Sequence, residues 1–356
     1  MKNFLGKRIV LAGGGSGGHI TPLLAVGHAL KQRGSKVVLM GSFGRGRFGL
    51  LTEELGDPII DIPAGKFRRY FSWQNLLSPI SVFWGIVAAG RELRRWKPDL
   101  VFAKGGYASF PVIVAAHRLG IPVVIHESDA HMGLANRWSL RLAKRVCVNF
   151  LPATFPVAYQ SKLVVTGIPI NEDFYKLRRQ EQQAKRTILV TGGSQGCESI
   201  NQVIWATQPF LAGYTILHIV GPGQRNRFAE KASAAYEVYD LVAPAKFREL
   251  LDRADVVISR GGATSYAEIA AAGRPAIIVP LSHAANNHQL DNAWAWEAAG
   301  AIRLLLQSEL TSEKLVQAVE EIFEPKTWAN MAAATAGLFE PRATEKIIEV
   351  ISEVMQ

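Results

Sequence analysis

Long apolar runs are missing from this sequence of 356 residues. The longest, ISVFWGIVAAG at 80–90, falls well short of the roughly 20 residues that cross a bilayer as a helix. Any membrane contact is therefore expected to be peripheral. The opening MKNFLGKRIV runs straight into a strand without an extended apolar segment, so no secretory signal is expected. Cysteine is scarce as well. Cys147 and Cys197 stand far apart, with no CxxC spacing and no His cluster beside them. A disulfide framework and a zinc site are thereby disfavoured, and a reducing compartment fits. Short-period repeats and low-complexity tracts are absent too. Acidic residues are outnumbered, 30 against 40 Lys and Arg, which leaves a formal net charge of +10. Such a balance suits an anionic partner: a phosphorylated ligand, an anionic membrane or nucleic acid.

What is present is the makings of two folded cores. Hydrophobic residues are 48% and charged residues 20% of the chain, the balance of a globular protein, and the length suits two domains. RIVLA reads as a buried strand, GGGSGG as a turn, and TPLLAVGHALKQRG as a helix closed by Gly34 in the C′ position. KVVLM, PIIDI, DLVFA, PVVIH and RVCVNF follow as strands, with helical segments such as FPVIVAAHRLG between several of them. After TGIPI and a charged stretch the pattern restarts. TILVT at 187–191 leads into a second glycine-rich loop and a helix from about Glu198. YTILHIV, VYDLV, DVVIS and PAIIVP are further strands, and ATEKIIEVISEVM is an amphipathic helix. Alternating strands and helices imply an α/β fold: two Rossmann-like, doubly wound parallel sheets facing a cleft. The expected division is 1–166, then 167–340, then a C-terminal helix at 341–356 that packs back on the first domain.

Five segments fall where ligands bind, beyond the carboxyl ends of strands. In GGGSGGH, Gly13, Gly15 and Gly18 satisfy GxGxxG, a weak signal alone. The second strand ends in Gly41, Ser42 and Phe43, without the acid that holds an NAD ribose. Arg45 and Arg47 keep an NADP reading open. The better reading is bare backbone approaching a phosphate at a helix N-terminus. His19, at the start of that helix, is either a packing residue or a general base, since imidazole accepts a hydroxyl proton near neutral pH. GGSQG offers Ser194, Gln195 and Gly196 by the same logic. In SRGGATSYAE, Gly261 and Gly262 free the backbone, Thr264 and Ser265 suit a pyrophosphate, and Glu268 can accept two ribose hydroxyls. PLSHAANNHQLDNA carries His283, Asn286, Asn287, His288 and Gln289, amides and imidazoles suited to sugar hydroxyls; carboxylates at metal-ligand spacing are missing. HESDAHMGLANR places His126, Glu127 and Asp129 at a strand end.

These segments, in this order along nearly the whole chain, resemble the MurG family. GGGSGGHITPLLAV and KGGYASFPVIVAA are similar to its first two glycine loops, and HESDAHMGLANR, TGIPI, GGSQG, ATSYAEIAAAGRPAIIVP and HQLDNA follow in family order. The resemblance implies the GT-B architecture and an inverting transfer of N-acetylglucosamine from UDP-N-acetylglucosamine. The implied acceptor is the N-acetylmuramoyl 4-hydroxyl of lipid I, undecaprenyl-diphospho-MurNAc-pentapeptide, and the implied product is lipid II of peptidoglycan synthesis. It implies roles as well. Ser16, Gly17 and Gly18 approach the acceptor diphosphate and the transferred sugar. Ser194, Gln195 and Gly196 form the donor loop. Ala263, Thr264, Ser265, Tyr266, Ala267 and Glu268 hold UDP, with Glu268 on the ribose, and Gln289 contacts the N-acetylglucosamine hydroxyls. His19 corresponds to the family's base, with Glu127 and Asp129 as rivals. No metal or other cofactor is expected. The chain departs from the family at Asp129, where many members have Asn, and at Asn171, where Arg is usual.

GKFRRYFSWQN at 65–75 mixes Lys66, Arg68 and Arg69 with Phe67, Tyr70, Phe71 and Trp73. Phe83, Trp84 and RELRRWK follow. Such a basic, aromatic patch suits anionic headgroups. No nucleic-acid-binding signature accompanies it, so nucleic acid is not an expected partner. The expected location is the cytoplasmic face of the cell membrane. Two other classes stay open at this point: an NADP-dependent oxidoreductase and a sugar-nucleotide-binding protein without turnover. Within the enzyme class, the alternatives are a transferase with another lipid acceptor and a UDP-sugar epimerase.

Overall fold

The computed structural model describes residues 4–43, 58–65, 74–129, 132–149, 155–178, 181–281 and 288–356, with backbone alone at 74–77 and 288. The basic aromatic stretch 66–73, Arg45, Arg47, His283, Asn286 and Asn287 lie outside the described residues. The chain forms two compact units. One holds residues 1–171 together with 342–356; the other holds 172–341.

The first unit is built on a parallel sheet of β1 (Arg8–Gly14), β2 (Lys36–Ser42), β3 (Ile59–Asp61), β4 (Leu100–Ala103), β5 (Val123–Glu127), β6 (Arg145–Val148) and β7 (Leu163–Val165). Its order is β3-β2-β1-β4-β5-β6-β7. Its helices are α1 (Gly17–Gln32), α2 (Gln74–Trp96), α3 (Phe110–Arg118) and α4 (Leu134–Ser139). Side chains alternate across a strand, so each face of this apolar sheet needs a cover. Ile9 and Leu11 point to a core shared with Ile20, Leu23 and Leu30 of α1. Val10 and Ala12 point to the opposite core, with Leu93 of α2 and Val112 of α3.

Helix α1 stops where the chain demands it. Gly34 takes φ 86°, its N–H donates to Lys31 O (2.9 Å), and Ser35 N–H donates to Leu30 O (3.1 Å). This Schellman arrangement satisfies the last carbonyls and turns the chain into β2.

The second unit carries β8 (Thr187–Thr191), β9 (Thr215–Ile219), β10 (Tyr236–Tyr239), β11 (Val256–Ser259), β12 (Ala276–Ile278) and β13 (Ile302–Leu304). The order is β10-β9-β8-β11-β12-β13, again parallel. Helices α5 (Glu198–Thr207), α6 (Arg225–Phe228), α7 (Pro244–Arg253), α8 (Ala263–Ala272), α9 (His288–Ala298), α10 (Ser312–Phe323) and α11 (Pro325–Gly337) surround it. Ile188 and Val190 of β8 pack with Ile200 and Ile204 of α5, Leu315 of α10 and Trp328 of α11.

The last helix, α12 (Ala343–Val354), belongs to the first unit. Its Ile347, Ile348, Val350 and Ile351 complete the core beside α1, and Glu345 takes a 2.7 Å bond from Arg33. Ile351 is fully buried. Ile351→Ala should therefore destabilise the first unit by about 3 kcal/mol, read as an earlier denaturant midpoint for that unit; an unchanged midpoint would mean that α12 is dispensable.

In both sheets the first strand of the unit lies beside its second and its fourth. That is a topological switch point, where the connections diverge and leave a crevice at the carboxyl ends. In the first unit GGGSGG runs from the end of β1 into the start of α1, and KGG follows β4. In the second, GGSQG follows β8 and RGG follows β11.

Candidate functional site

The first unit's crevice is lined by loops that only glycine can form. Gly14 has φ 117°, and a Cβ there would come within 2.1 Å of Ser42 O. Gly15 donates to the same carbonyl at 2.8 Å and lies against the Tyr107 ring. Ser16 is the N-cap of α1 in extended conformation, yet its side chain makes no capping bond. Gly17 and Gly18 open the helix, Gly18 exposed.

His19 sits half-buried in the first turn. Gly106, from the loop after β4, passes directly beneath its ring. A Cβ at 106 would lie 2.4 Å from His19 Cε1 and 2.5 Å from Nδ1. Burial, and then the Lys104 charge, pull the imidazole down to about 3. His19 is therefore neutral at pH 7 and free of a proton on one nitrogen.

Glu127 stands at the end of β5, buried and locked. Its Oε1 accepts from Asp129 N–H at 3.1 Å. Its Oε2 accepts from Gly133 N–H at 3.0 Å and Asn136 Nδ2 at 3.0 Å. Burial and then the Asp129 charge push its carboxyl up, while Lys104 opposes them. Its oxygens thus fix Asp129, Gly133 and Asn136. Asp129 is partly exposed at the mouth of that loop. His126 is fully buried. One of its nitrogens, Nε2, lies 2.9 Å from Gly167 O and donates to it, tying β5 to the turn that ends the unit. Burial and the nearby Lys104 charge lower it to about 3, so it too is neutral. Asn171 closes the unit, half-buried.

In the second unit, Gly193 N–H donates to Thr191 Oγ1 (3.2 Å) and Gly196 N–H to Gly193 O (3.0 Å). Gly196 has φ 73°, and a Cβ there would meet Val220 O at 2.3 Å. The tight loop presents Ser194 and the exposed Gln195 at its tip. Cys197 caps α5 through its sulfur, which accepts from Ile200 N–H at 3.4 Å. Arg260 donates to the same sulfur from Nε (2.9 Å) and Nη2 (2.7 Å). The loop after β11 is thereby fastened to the loop after β8.

Helix α8 begins at Ala263, so Thr264 and Ser265 occupy its first turn. Tyr266 and Ala267 are buried, and the Tyr266 ring packs on Trp296 with centroids 4.5 Å apart. Glu268 is buried, and burial alone raises its carboxyl to about 8. Gln289 Oε1 accepts from Leu281 N–H at 3.0 Å, and Gln289 O lies 3.2 Å from where a Gly261 Cβ would stand.

The sequence-derived residues thus gather in two sets, each within its own unit. His19 and Glu127 both lie within the field of Lys104, which Asp129 also feels, while Ser16–Gly18 form the adjoining turn. Ser194–Gly196 and Ala263–Glu268 follow the adjacent strands β8 and β11, and Gln289 lies beside Gly261. Three participants escaped the sequence reading: Lys104, Asn136 and Arg260. The signal was available for two of them, because Lys104 and Arg260 are cations standing between an apolar strand and a Gly-Gly pair. Asn136 could not be found by spacing, since its partner Glu127 is nine residues away across a turn. Among the described residues, no group of three His, Cys, Asp or Glu side chains could hold a metal ion.

Two Rossmann-like parallel-sheet units in one chain, each with paired glycine loops at its switch point, define the GT-B class of α/β proteins. The glycosyltransferase family 28 N-terminal domain matches residues 9–148, and the family 28 C-terminal domain matches residues 187–347. A relative from Lachnospira eligens is 35% identical over 326 residues, covering 89% of this chain and 91% of its own. Another, from Lachnoclostridium phytofermentans, is 35% identical over 357 residues, covering 98% and 99%. Both are named UDP-N-acetylglucosamine--N-acetylmuramyl-(pentapeptide) pyrophosphoryl-undecaprenol N-acetylglucosamine transferase. The crystal structure of MurG from Acinetobacter baumannii superposes with a TM-score of 0.73 at 30% identity, covering 98% of this chain and 99% of that one. The chain belongs to glycosyltransferase family 28, within it to the MurG family, and is a glycosyltransferase. A UDP-GlcNAc 2-epimerase from Neisseria meningitidis, at 15% identity and a TM-score of 0.66, shares the fold alone. Family membership sets aside the oxidoreductase alternative.

Proposed function

We propose that this protein transfers N-acetylglucosamine from UDP-N-acetylglucosamine to the 4-hydroxyl of the N-acetylmuramoyl residue of lipid I, producing lipid II with inversion at the anomeric carbon. The observation that carries this reading is the near full-length likeness to relatives named for that transfer, together with a glycine-loop crevice in each unit. The second unit is the donor side. Ser194, Gln195 and Gly196, with Ala263–Ala267, surround the diphosphate at the starts of α5 and α8, where helix N-termini favour negative charge. Glu268 accepts from the ribose hydroxyls, and Gln289, whose Oε1 is taken by Leu281 N–H, donates from Nε2 to the sugar. The first unit is the acceptor side, with Ser16, Gly17 and Gly18 beside the acceptor diphosphate.

In the reaction the acceptor oxygen forms its bond to the anomeric carbon as the bond to the UDP oxygen breaks. The electron pair leaves with UDP, whose growing charge meets the helix N-termini. The acceptor proton goes to His19. Its neutral imidazole can accept, whereas both Glu127 oxygens are already held by loop donors. The negative charge of the acceptor diphosphate then favours the imidazolium. Comparing UDP-N-acetylglucosamine with UDP-glucose as donors, on one short-chain lipid I analogue, tests the donor assignment: transfer from the first should dominate, and equal transfer would overturn it.

The acceptor lipid stays in its bilayer, so the protein must come to it. No helix among the described residues is long and apolar enough to cross a membrane. On α2, Ile80, Phe83, Trp84 and Val87 form an i, i+3, i+4, i+7 stripe whose members are 41–58% exposed. Arg91, Arg94, Arg95 and Lys97 are exposed further along. An outward apolar stripe beside cations suits an anionic membrane surface, which we assign to the cytoplasmic face. F83S/W84S should weaken binding to vesicles containing phosphatidylglycerol by about 10-fold or more while leaving UDP affinity unchanged. Undiminished vesicle binding would place the docking surface elsewhere.

A further inference from the structure

One group at the centre of the acceptor crevice has no part in the mechanism above. Lys104 follows β4 directly, and its backbone N–H donates to Ala12 O of β1 at 3.0 Å. Ala103 pairs with Ile125, so Lys104 stands beside the His126–Glu127 end of β5. It is only 3% exposed. An ammonium buried that deeply is strongly disfavoured unless negative charge lies close by. Burial pulls the Lys104 ammonium below its ordinary value, and the charges that oppose this and favour the protonated form are Glu127 first and Asp129 second.

The converse holds for the carboxylates. Glu127 and Asp129 are two residues apart, and Glu127 accepts from the Asp129 backbone N–H at 3.1 Å. Glu127 is itself buried, so the adjacent Asp129 charge works against it. Around them stand His126 and Ser128 from the β5 end and Asn136 from α4, while His19 from α1 feels the Lys104 charge. Both histidines are held neutral, and Ser128 and Asn136 carry no charge. Lys104 is thus the cation, among the described residues, whose charge offsets both carboxylates.

We propose that Lys104 is a positioning residue whose buried ammonium offsets the two adjacent carboxylates, so that Glu127 holds Gly133 and Asn136 and Asp129 presents its carboxylate to the acceptor sugar. The inference rests on the assignment of this crevice to the acceptor. It also gives the Asp129 departure a physical setting: with Lys104 present, a carboxylate stands where many family members have an amide.

A four-member cycle tests it: wild type, K104M, D129N and K104M/D129N, assayed for acceptor kcat/KM with saturating donor and for the thermal unfolding midpoint. K104M in the wild-type background should lower kcat/KM about 100-fold, because it leaves two carboxylates with no offsetting cation. In the D129N background the same change should cost about 5-fold or less, since only one carboxylate remains to be offset. The unfolding midpoint should follow the same pattern, with the larger drop for K104M alone. Equal losses in both backgrounds would overturn the proposal, because a merely space-filling Lys104 would be indifferent to the charge at 129. If wild type transfers nothing to a lipid I analogue, the acceptor assignment fails while the midpoints still decide the charge coupling. If K104M is recovered only as insoluble protein, soluble K104M/D129N supports the coupling and an insoluble double variant overturns it.

Discussion

His19→Ala lowers transfer by about 1,000-fold while UDP affinity stays within about 2-fold of wild type. The separation follows from where the residue sits. His19 lies in the first unit, against Gly106, whereas the residues assigned to UDP lie in the second. Removing the ring takes away the proton acceptor and leaves the donor side intact. The wild-type pH profile follows from the same environment. Burial and the Lys104 charge hold His19 down at about 3. Protonation that blocks a general base should therefore appear only in strongly acidic solution, and the acid limb of kcat/KM should lie well below the ordinary histidine range. Turnover of His19→Ala near the wild-type rate would pass the role to Asp129, whose carboxylate is less encumbered than that of Glu127.

UDP binding at pH 7 releases about one proton, and Glu268→Gln abolishes the release. Glu268 is buried in α8, and desolvation raises its carboxyl to about 8. In the empty site it is mostly protonated at neutral pH. Ribose hydroxyls donate to a carboxylate better than to a carboxylic acid, so bound UDP favours the ionised form and expels the proton. Affinity should climb as pH rises towards about 8 and level off above it. Stability of the empty protein runs the opposite way. A carboxyl whose folded pKa exceeds its unfolded value contributes stability that is full below about 4.5 and is lost as pH rises through about 8. Titration calorimetry in buffers of different ionisation enthalpy reads the proton count. Glu268→Gln should weaken UDP by about 10- to 100-fold through loss of charge-assisted bonds. A release near zero in the wild type would mean that Glu268 does not meet the ribose.

The local parts of this architecture were legible in the sequence because they are written in short patterns. GGGSGG after RIVLA and GGSQG after TILVT are strand-to-helix turns, and both occupy switch points. Gly34 closes α1 in the expected C′ position. The apolar stripe of ATEKIIEVISEVM belongs to α12. What the sequence could not display are interactions between residues far apart in the chain. Nothing in HESDAH tells that Glu127 already accepts from Gly133 and Asn136. Nothing in ATSYAE tells that Glu268 is buried deeply enough to keep its proton. The Arg260–Cys197 contact spans 63 positions and depends on β8 and β11 lying side by side. Lys104 is the sharpest case: by composition it is one more surface cation, and only the pairing of β4 with β5 turns it into a buried counter-charge.

The account turns on the transfer itself. Purified full-length protein, radiolabelled UDP-N-acetylglucosamine and a short-chain lipid I analogue should yield a labelled disaccharide lipid, with release of UDP in equal amount. Binding of UDP with no labelled lipid formed would contradict the acceptor assignment and leave a family 28 glycosyltransferase that serves a different lipid.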